Sequence, residues 1–258
     1  AGTPGDKAGL KPGDMILRIK DDLKQIDLGT GGMSTTEAVQ HIRGKAGTTV
    51  VLTIMREGNE SPFDISLVRE KIDVPSVKTE YVDNGTIAHV RLLKFGGETE
   101  EEWNSAVREI IKKPEVKGLI LDVRGNPGGY LQAAVDISAE FVKTGTVAVI
   151  EERGDGTTIE FKTERLGLLN NFPTVVMING GSASASEILA GALRDQKEFK
   201  LIGQKSFGKG TIQEPVNMDN GTRLHITIAK WLTPKGTWVH EKGLSPDFEV
   251  ENNPDTEE

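Results

Sequence analysis

One stretch, from Gly181 to Gln213, sets the terms for the whole chain. It reads G-S-A-S-A-S-E-I-L-A-G-A-L and then, after an apolar-framed link, S-F-G-K-G-T-I-Q. Thr174 to Ile178 is β-branched and apolar like a buried strand, and Asn179-Gly180-Gly181 follows it as a tight turn. From Ser184 to about Leu193 the apolar Ile188, Leu189, Ala192 and Leu193 recur at helical spacing. A small serine therefore stands where a strand passes through a glycine turn into a helix. The partial positive charge of a helix N-terminus favours negative charge developing beside it. Ser184 is placed as a nucleophile would be.

Such a serine needs a base, and Lys209 is the candidate. It lies in Phe207-Gly208-Lys209-Gly210, where flanking glycines let the backbone approach another segment closely. A lysine deprotonates a serine only when neutral, and apolar burial loosens its hold on the extra proton. Gln213, four residues on, can hydrogen-bond that amine without charging it. Simpler readings of the same residues stand beside this one. Ser184-x-x-Glu187 is also a capping box that closes a helix start, and a lysine between glycines is also a solvated turn. Gly203-x-x-x-x-Gly208-Lys209 begins like a phosphate-binding loop, but that loop requires Ser or Thr after the lysine, and Gly210 stands there. A nucleotide site is excluded.

These two motifs, S-A-S-A-S-E-I-L-A-G-A-L and F-G-K-G-T-I-Q, closely resemble those of the carboxyl-terminal processing (tail-specific) serine proteases. Matched position by position, without a gap, the resemblance implies Ser184 as nucleophile, Lys209 as general base and Gln213 as the residue that orients it. Glu187 matches an acidic residue that some members need near the site. The resemblance implies no cofactor and no metal.

A second informative stretch is Asp122-Val123-Arg124-Gly125-Asn126-Pro127-Gly128-Gly129. It follows an apolar strand, Gly118 to Val123, and precedes a helix expected from Leu131 to Phe141. A double glycine there can aim backbone N–H groups at an anion, or simply make a tight turn. It resembles the glycine motif that lends an amide to the oxyanion hole in the processing proteases. On that resemblance Gly128 or Gly129 pairs with the N–H of Ala185, the residue after the nucleophile.

The first 68 residues form a separate unit. Ala8-Gly9-Leu10-Lys11-Pro12-Gly13-Asp14 marks a turn, Met15 to Ile19 a strand, Asp21 to Gly32 a polar loop. Ser34 or Thr35 caps a helix that Gly44 ends, and strands follow at Thr48–Met55 and Phe63–Leu67. A-G-L-K-P-G-D with S-T-T-E-A-V-Q-H-I-R-G resembles a PDZ domain of the bacterial protease type. By that resemblance Ala38, Val39 and Ile42 are candidates for the helix wall of a peptide groove; they equally suit a core-facing stripe. The strands and carboxylate-binding loop of the groove fall upstream of Ala1, so the expected PDZ domain lacks them.

Beyond Pro75 the pattern alternates strand and helix: strand at 87–92, amphipathic helix from Glu98 to Lys113 with Trp103, Val107, Ile110 and Ile111 inward, then strands at 118–123, 146–151 and 199–202. This is an α/β arrangement. With the resemblance it implies a crotonase-like spiral of ββα units as the protease core, residues 69–250, behind the PDZ unit. Residues 251–258 are expected to be an acidic disordered tail.

Composition narrows the rest. A net charge of −8 argues against a nucleic-acid partner. With no cysteine there is neither disulfide nor thiol chemistry. His41, His89, His225 and His240 are scattered without metal-ligand spacing, G-x-S-x-G is absent, and no apolar run reaches the roughly 18–20 residues that span a bilayer. The opening Ala1-Gly2-Thr3 carries no methionine and no signal peptide. The chain thus reads as an excised fragment, with an extracytoplasmic address (periplasm, cell envelope or plastid lumen) implied by the resemblance.

The reading is a serine endopeptidase that recognises and cuts near protein C-terminal tails through an acyl-enzyme. Its partners are polypeptides with exposed tails, and a homo-oligomer remains open. Two alternatives compete: a non-catalytic PDZ adaptor on a protease-like platform, and an acyl-CoA enzyme with the same oxyanion geometry. The adaptor would be expected to have lost the serine or the lysine. The acyl-CoA enzyme would need acidic catalytic residues and a CoA pocket that no motif supplies.

Overall fold

The computed structural model describes residues 2–72, 75–218 and 222–251. Of the tail expected at 251–258, residues 252–258 lie outside the described residues. The chain divides into two compact units, residues 1–74 and 75–258.

The first unit begins with a single helical turn, α1 (Pro4–Lys7), capped by Thr3, whose hydroxyl accepts the Asp6 N–H. Strand β1 (Met15–Asp21) pairs antiparallel with β2 (Ile26–Gly29), so the segment read as a loop from Asp21 to Gly32 contains a hairpin strand. Its polar composition hid it: Ile26 and Leu28 are its only large apolar residues, and Leu28 is exposed. Helix α2 (Thr35–Ile42) opens on a capping box, with Ser34 accepting the Glu37 N–H and the Glu37 carboxylate accepting the Ser34 N–H. Strands β3 (Thr49–Met55) and β4 (Phe63–Val68) complete a sheet of order β2-β1-β3-β4.

Alternation decides which face of that sheet is buried. Val50, Leu52 and Ile54 of β3 point one way and join Ile19, Ile65 and Leu67 in the core. Of the three helix residues proposed for a groove, Ala38 and Ile42 pack on this core, while Val39 is exposed. Asp14 and Arg56 form a two-pronged ion pair at 2.6 and 2.8 Å, and buried Asp21 is held by Arg69 at 2.7 Å.

The second unit carries a six-stranded sheet of order β14-β11-β10-β7-β6-β5 and a four-stranded antiparallel sheet of order β12-β13-β8-β9. Strands β5 (Val77–Val82) and β6 (Ile87–Leu92) form a hairpin, and β6 runs parallel to β7 (Gly118–Asp122). Between β6 and β7 lies α3 (Thr99–Ile111), whose Trp103, Val107 and Ile110 sit four and three residues apart on one buried face. Ile111, expected inward, is exposed: it falls about 100° round the helix from Ile110, on the solvent side. Glu100, Glu101 and Glu102 fill the first turn, where the helix dipole favours acids.

After β7 comes α4 (Leu131–Ser138), three residues shorter than expected, then β8 (Val147–Arg153) and β9 (Thr158–Lys162) joined by the Gly154–Gly156 turn. Strand β10 (Thr174–Ile178) leads into α5 (Ala185–Lys197), which feeds β11 (Lys200–Gly203), parallel to β10. Strands β12 (Thr211–Asn217) and β13 (Arg223–Leu232) form a ribbon, and the short β14 (Phe248–Glu249) closes the main sheet beside β11. The result is a mixed α/β core. Trp103, Phe141, Leu121, Val176, Ile178 and Leu189 are among the side chains that fill it.

Two connections carry the chemistry. Parallel pairing places the C-terminal ends of β7 and β10 side by side, Met177 opposite Asp122. The loops leaving those two ends are Val123–Tyr130 and Asn179–Ser184. Loops at such strand ends are where open α/β sheets hold ligands.

Candidate active site

Helix α5 is unusual in being buried on every side over its first nine residues, Ala185 to Leu193. A helix apolar all round belongs inside, yet this one begins with Ser184 and carries Ser186 and Glu187, both without solvent exposure. The polar residues are there because the turn before the helix needs them.

Ser184 itself has φ +55° and ψ −115°. An L-residue held there costs about 1–3 kcal/mol, which persists only where surroundings over-determine it. The surroundings do. Asn179 Oδ1 accepts the N–H groups of both Gly125 and Gly181, at 2.8 and 2.9 Å. The Ser182 hydroxyl donates to the Val123 carbonyl at 2.8 Å and accepts the Asn179 N–H. The Asn126 carbonyl takes the Ala183 N–H at 3.0 Å and the Ser186 hydroxyl at 2.9 Å. A Cβ on Gly181 would lie 2.8 Å from the Gly125 Cα, so only glycine lets the two loops meet.

That docking brings the double glycine onto the serine. A Cβ on Gly128, which sits at φ +98°, would lie 2.8 Å from the Ser184 Cβ and 2.9 Å from the Ala185 nitrogen. The Gly128 N–H is already given to Asn126 Oδ1 at 2.9 Å. The N–H groups of Gly129 and Ala185 donate to nothing among the described residues. Gly129, at φ +144°, packs so tightly on Phe95 that a Cβ would overlap the Phe95 carbonyl oxygen at 2.0 Å. Of the two glycines named as oxyanion donors, Gly129 is thus the one with a free N–H, and Gly128 is the one whose missing side chain opens the space beside Ser184.

The Phe207–Gly210 loop is gripped from several directions. Glu187 accepts the backbone N–H groups of Gly208 and Lys209, at 2.7 and 2.9 Å. The Lys209 carbonyl accepts the indole N–H of Trp231, and the Gly210 carbonyl that of Trp238, each at 2.9 Å. Phe207 donates its N–H to the Ser182 carbonyl, two residues before Ser184. Ser184 and Lys209 are both half-buried. Among the described residues the Lys209 amine has neither an ion-pair partner nor a hydrogen bond. Gln213 is exposed on β12, just past a bulge at Ile212/Gln213, and its amide likewise makes no hydrogen bond among the described residues.

The start of the glycine motif is fixed by charge. Asp122 is buried and accepts hydrogen bonds from His89 at 3.0 Å and from the Arg124 side chain at 2.9 and 3.0 Å. Burial would raise its carboxyl; those donors outweigh burial and hold it well below the usual carboxylate range. Asn126, Asn179, Ser182, Ser206, Trp231 and Trp238 all shape the site, and none was singled out from the sequence. Asn126, Asn179, Ser182 and Ser206 all lie inside stretches quoted from the sequence and were within reach. The tryptophans act on a loop more than twenty residues away, and no local pattern marks them.

Comparison with known proteins now decides the family. The model of peptidase family S41 matches residues 86–250, nearly two thirds of the chain. The chain belongs to peptidase family S41. The match spans every residue of the site just described. The carboxy-terminal processing protease CtpA of Bacillus subtilis is 39% identical over 250 residues, covering 97% of this chain and 52% of its own length. A carboxy-terminal-processing protease of Bartonella bacilliformis is 40% identical over 252 residues, covering 96% and 56%. The chain thus spans about half the length of the curated relatives it matches. Among solved structures, the photosystem II D1 C-terminal processing protease superposes with a TM-score of 0.65 at 30% identity, over 97% of this chain and 66% of that one.

Proposed function

We propose that this S41 peptidase chain is a serine endopeptidase that cuts near the C-terminal tails of polypeptides, with Ser184 as nucleophile and Lys209 as general base. The observation that carries the reading is the meeting of Gly128 with Ser184 and Ala185. It leaves a strained serine at a helix start, an unoccupied N–H on the next residue, and a second unoccupied N–H on Gly129. Two backbone donors beside a nucleophile are what a tetrahedral oxyanion requires.

The steps follow from the groups present. The Ser184 hydroxyl oxygen attacks the scissile carbonyl carbon while its proton passes to neutral Lys209 Nζ. The carbonyl oxygen becomes an oxyanion held by the N–H groups of Ala185 and Gly129. As the C–N bond breaks, Lys209 delivers the proton to the departing amine, leaving an ester on Ser184. Water, deprotonated by Lys209, attacks that ester; as the ester C–O bond breaks, Lys209 returns the proton to Ser184 Oγ and the new C-terminus is released. Gln213 orients the amine. Catalytic hydrogen bonds in unliganded sites are commonly open and close around substrate, which accommodates the unbonded Lys209 and Gln213 side chains.

We assign the first unit to a PDZ domain in which helix α2 forms one wall of the tail groove. Support comes from its A-G-L-K-P-G-D turn, the capped helix α2 and the Ala38 flank of a cavity of about 440 Å³ that Ile16, Leu17 and Met33 also line. The named relatives process C-termini, which supports tails as the substrate class. We place the working protein outside the cytoplasm on the same likeness.

The test is cleavage of an unstructured polypeptide ending in an apolar tail, against the same polypeptide ending in two aspartates. Ser184-dependent cleavage that favours the apolar tail supports the reading. Cleavage that persists in Ser184→Ala, or that ignores the tail, overturns it.

A further inference from the structure

Glu187 has no exposed surface and, among the described residues, no cation beside it. Its carboxylate is nevertheless fully occupied. Oε1 accepts the Ser206 hydroxyl at 2.6 Å and the Gly208 N–H at 2.7 Å. Oε2 accepts the Ser184 N–H and the Lys209 N–H, both at 2.9 Å. The Ser206 oxygen itself accepts the Leu244 N–H at 2.6 Å, so its single proton goes to Glu187. Four donors therefore converge on one anion, and hydrogen bonds to an ionised acceptor are the strong ones.

A glutamate at the third position of a helix ordinarily closes only its own N-terminus. Here one of the four donors, Ser184 N–H, belongs to that task. The other three come from residues 206–209, which lie 19 to 22 residues further along the chain. Two donors on the same oxygen cannot be further apart than the two bond lengths together, so the backbones of nucleophile and base are fixed within that span.

We infer that Glu187 is the positioning residue that sets the register between Ser184 and Lys209, and that it does so through its negative charge rather than its shape. The inference rests on the proposed Ser–Lys chemistry. Glutamine has the same shape and half the acceptor capacity. With its NH₂ on the Oε2 side, two N–H groups face it. With its NH₂ on the Oε1 side, the Ser206 hydroxyl can turn to accept, but the Gly208 N–H is orphaned. Either way the base loop loses a partner next to Lys209, and misplacement by about 1 Å of a group engaged in catalysis costs on the order of 10²-fold.

The experiment is Glu187→Gln in this chain, read by steady-state cleavage of an unstructured polypeptide, thermal unfolding and amide hydrogen exchange. The expected result is a folded protein with KM within about twofold of wild type and kcat lower by about 10²-fold, with faster exchange at Gly208 and Lys209. A folded Glu187→Gln with wild-type kcat, or with unchanged protection at both amides, overturns the inference. Should Glu187→Gln not fold, Ser206→Ala keeps the charge and removes one donor: a several-fold fall in kcat at constant KM is expected, and wild-type kcat overturns the inference. If wild type shows no Ser184-dependent turnover, the Ser–Lys reading is what fails. The exchange data then still decide the bridge, since unchanged protection in Glu187→Gln contradicts it.

Discussion

Gly128 lies so close to Ala185 that a methyl group on its Cα would come within 2.9 Å of the Ala185 nitrogen. Glycine at 128 is therefore a steric requirement of the close approach between the two loops, and φ +98° adds a backbone reason to the steric one. Gly128→Ala is expected to lower kcat by at least about 10²-fold, comparable to losing an oxyanion donor. Circular dichroism should show the secondary structure kept. Near-normal turnover would mean the oxyanion does not form here.

Ser184→Ala and Lys209→Ala are each expected to abolish cleavage while leaving the melting temperature within a few degrees. Both side chains are half-buried and neither is a large apolar group filling the core, so folding loses little. Lys209→Arg should be as inactive as Lys209→Ala, because a guanidinium stays charged and cannot accept the serine proton. Parallel turnover and thermal melts check all three.

Trp231 reports on the base loop. Its indole N–H holds the Lys209 carbonyl, and its ring is buried to 1% exposure. Trp231→Phe keeps most of the ring and deletes the donor, leaving that carbonyl unpaired at a cost of about 1–3 kcal/mol. Denaturant unfolding should show that loss, with kcat falling more than KM rises.

Acid sensitivity of the first unit is expected to trace to Asp14. The Arg56 side chain hydrogen-bonds its carboxyl and lowers it to about 2, against an opposing effect of burial. The unfolded chain binds that proton at about pH 4, so the pair's stabilisation is complete above pH 4 and is lost as pH falls towards 2. Asp14→Asn should be less stable than wild type at neutral pH, with the gap narrowing across that acid window. Melting temperatures from pH 7 to pH 2 give the comparison, and a gap that widens on acidification contradicts it.

Much of this was legible in the sequence because the decisive elements are local. The strand 174–178, the helix after Ser184 and the strand 87–92 follow from periodicity, and the site motifs follow from a few contiguous residues. What stayed hidden depends on partners distant in the chain. Ile111 looked inward because it is apolar, yet only the packing of α3 could say which neighbour of Ile110 faces solvent. Strand β2 escaped because Ile26–Gly29 earns its place by pairing with β1 rather than by burial. The proposed choice of Gly129 over Gly128 as donor was closed to sequence, since it turns on Asn126 Oδ1 having already taken the Gly128 N–H. The four-donor role of Glu187 was equally invisible, for a capping glutamate and a bridging one share the same letter at the same spacing.

The central claim is that Ser184 is made nucleophilic by Lys209, and covalent labelling tests it most directly. The chain would be treated with a fluorophosphonate and the adduct located by peptide mass spectrometry, in wild type and in Lys209→Ala. The account predicts one adduct, on Ser184, forming at a rate that falls by at least about 10²-fold in Lys209→Ala. An adduct on another serine, or labelling of Ser184 that is indifferent to Lys209, would contradict it.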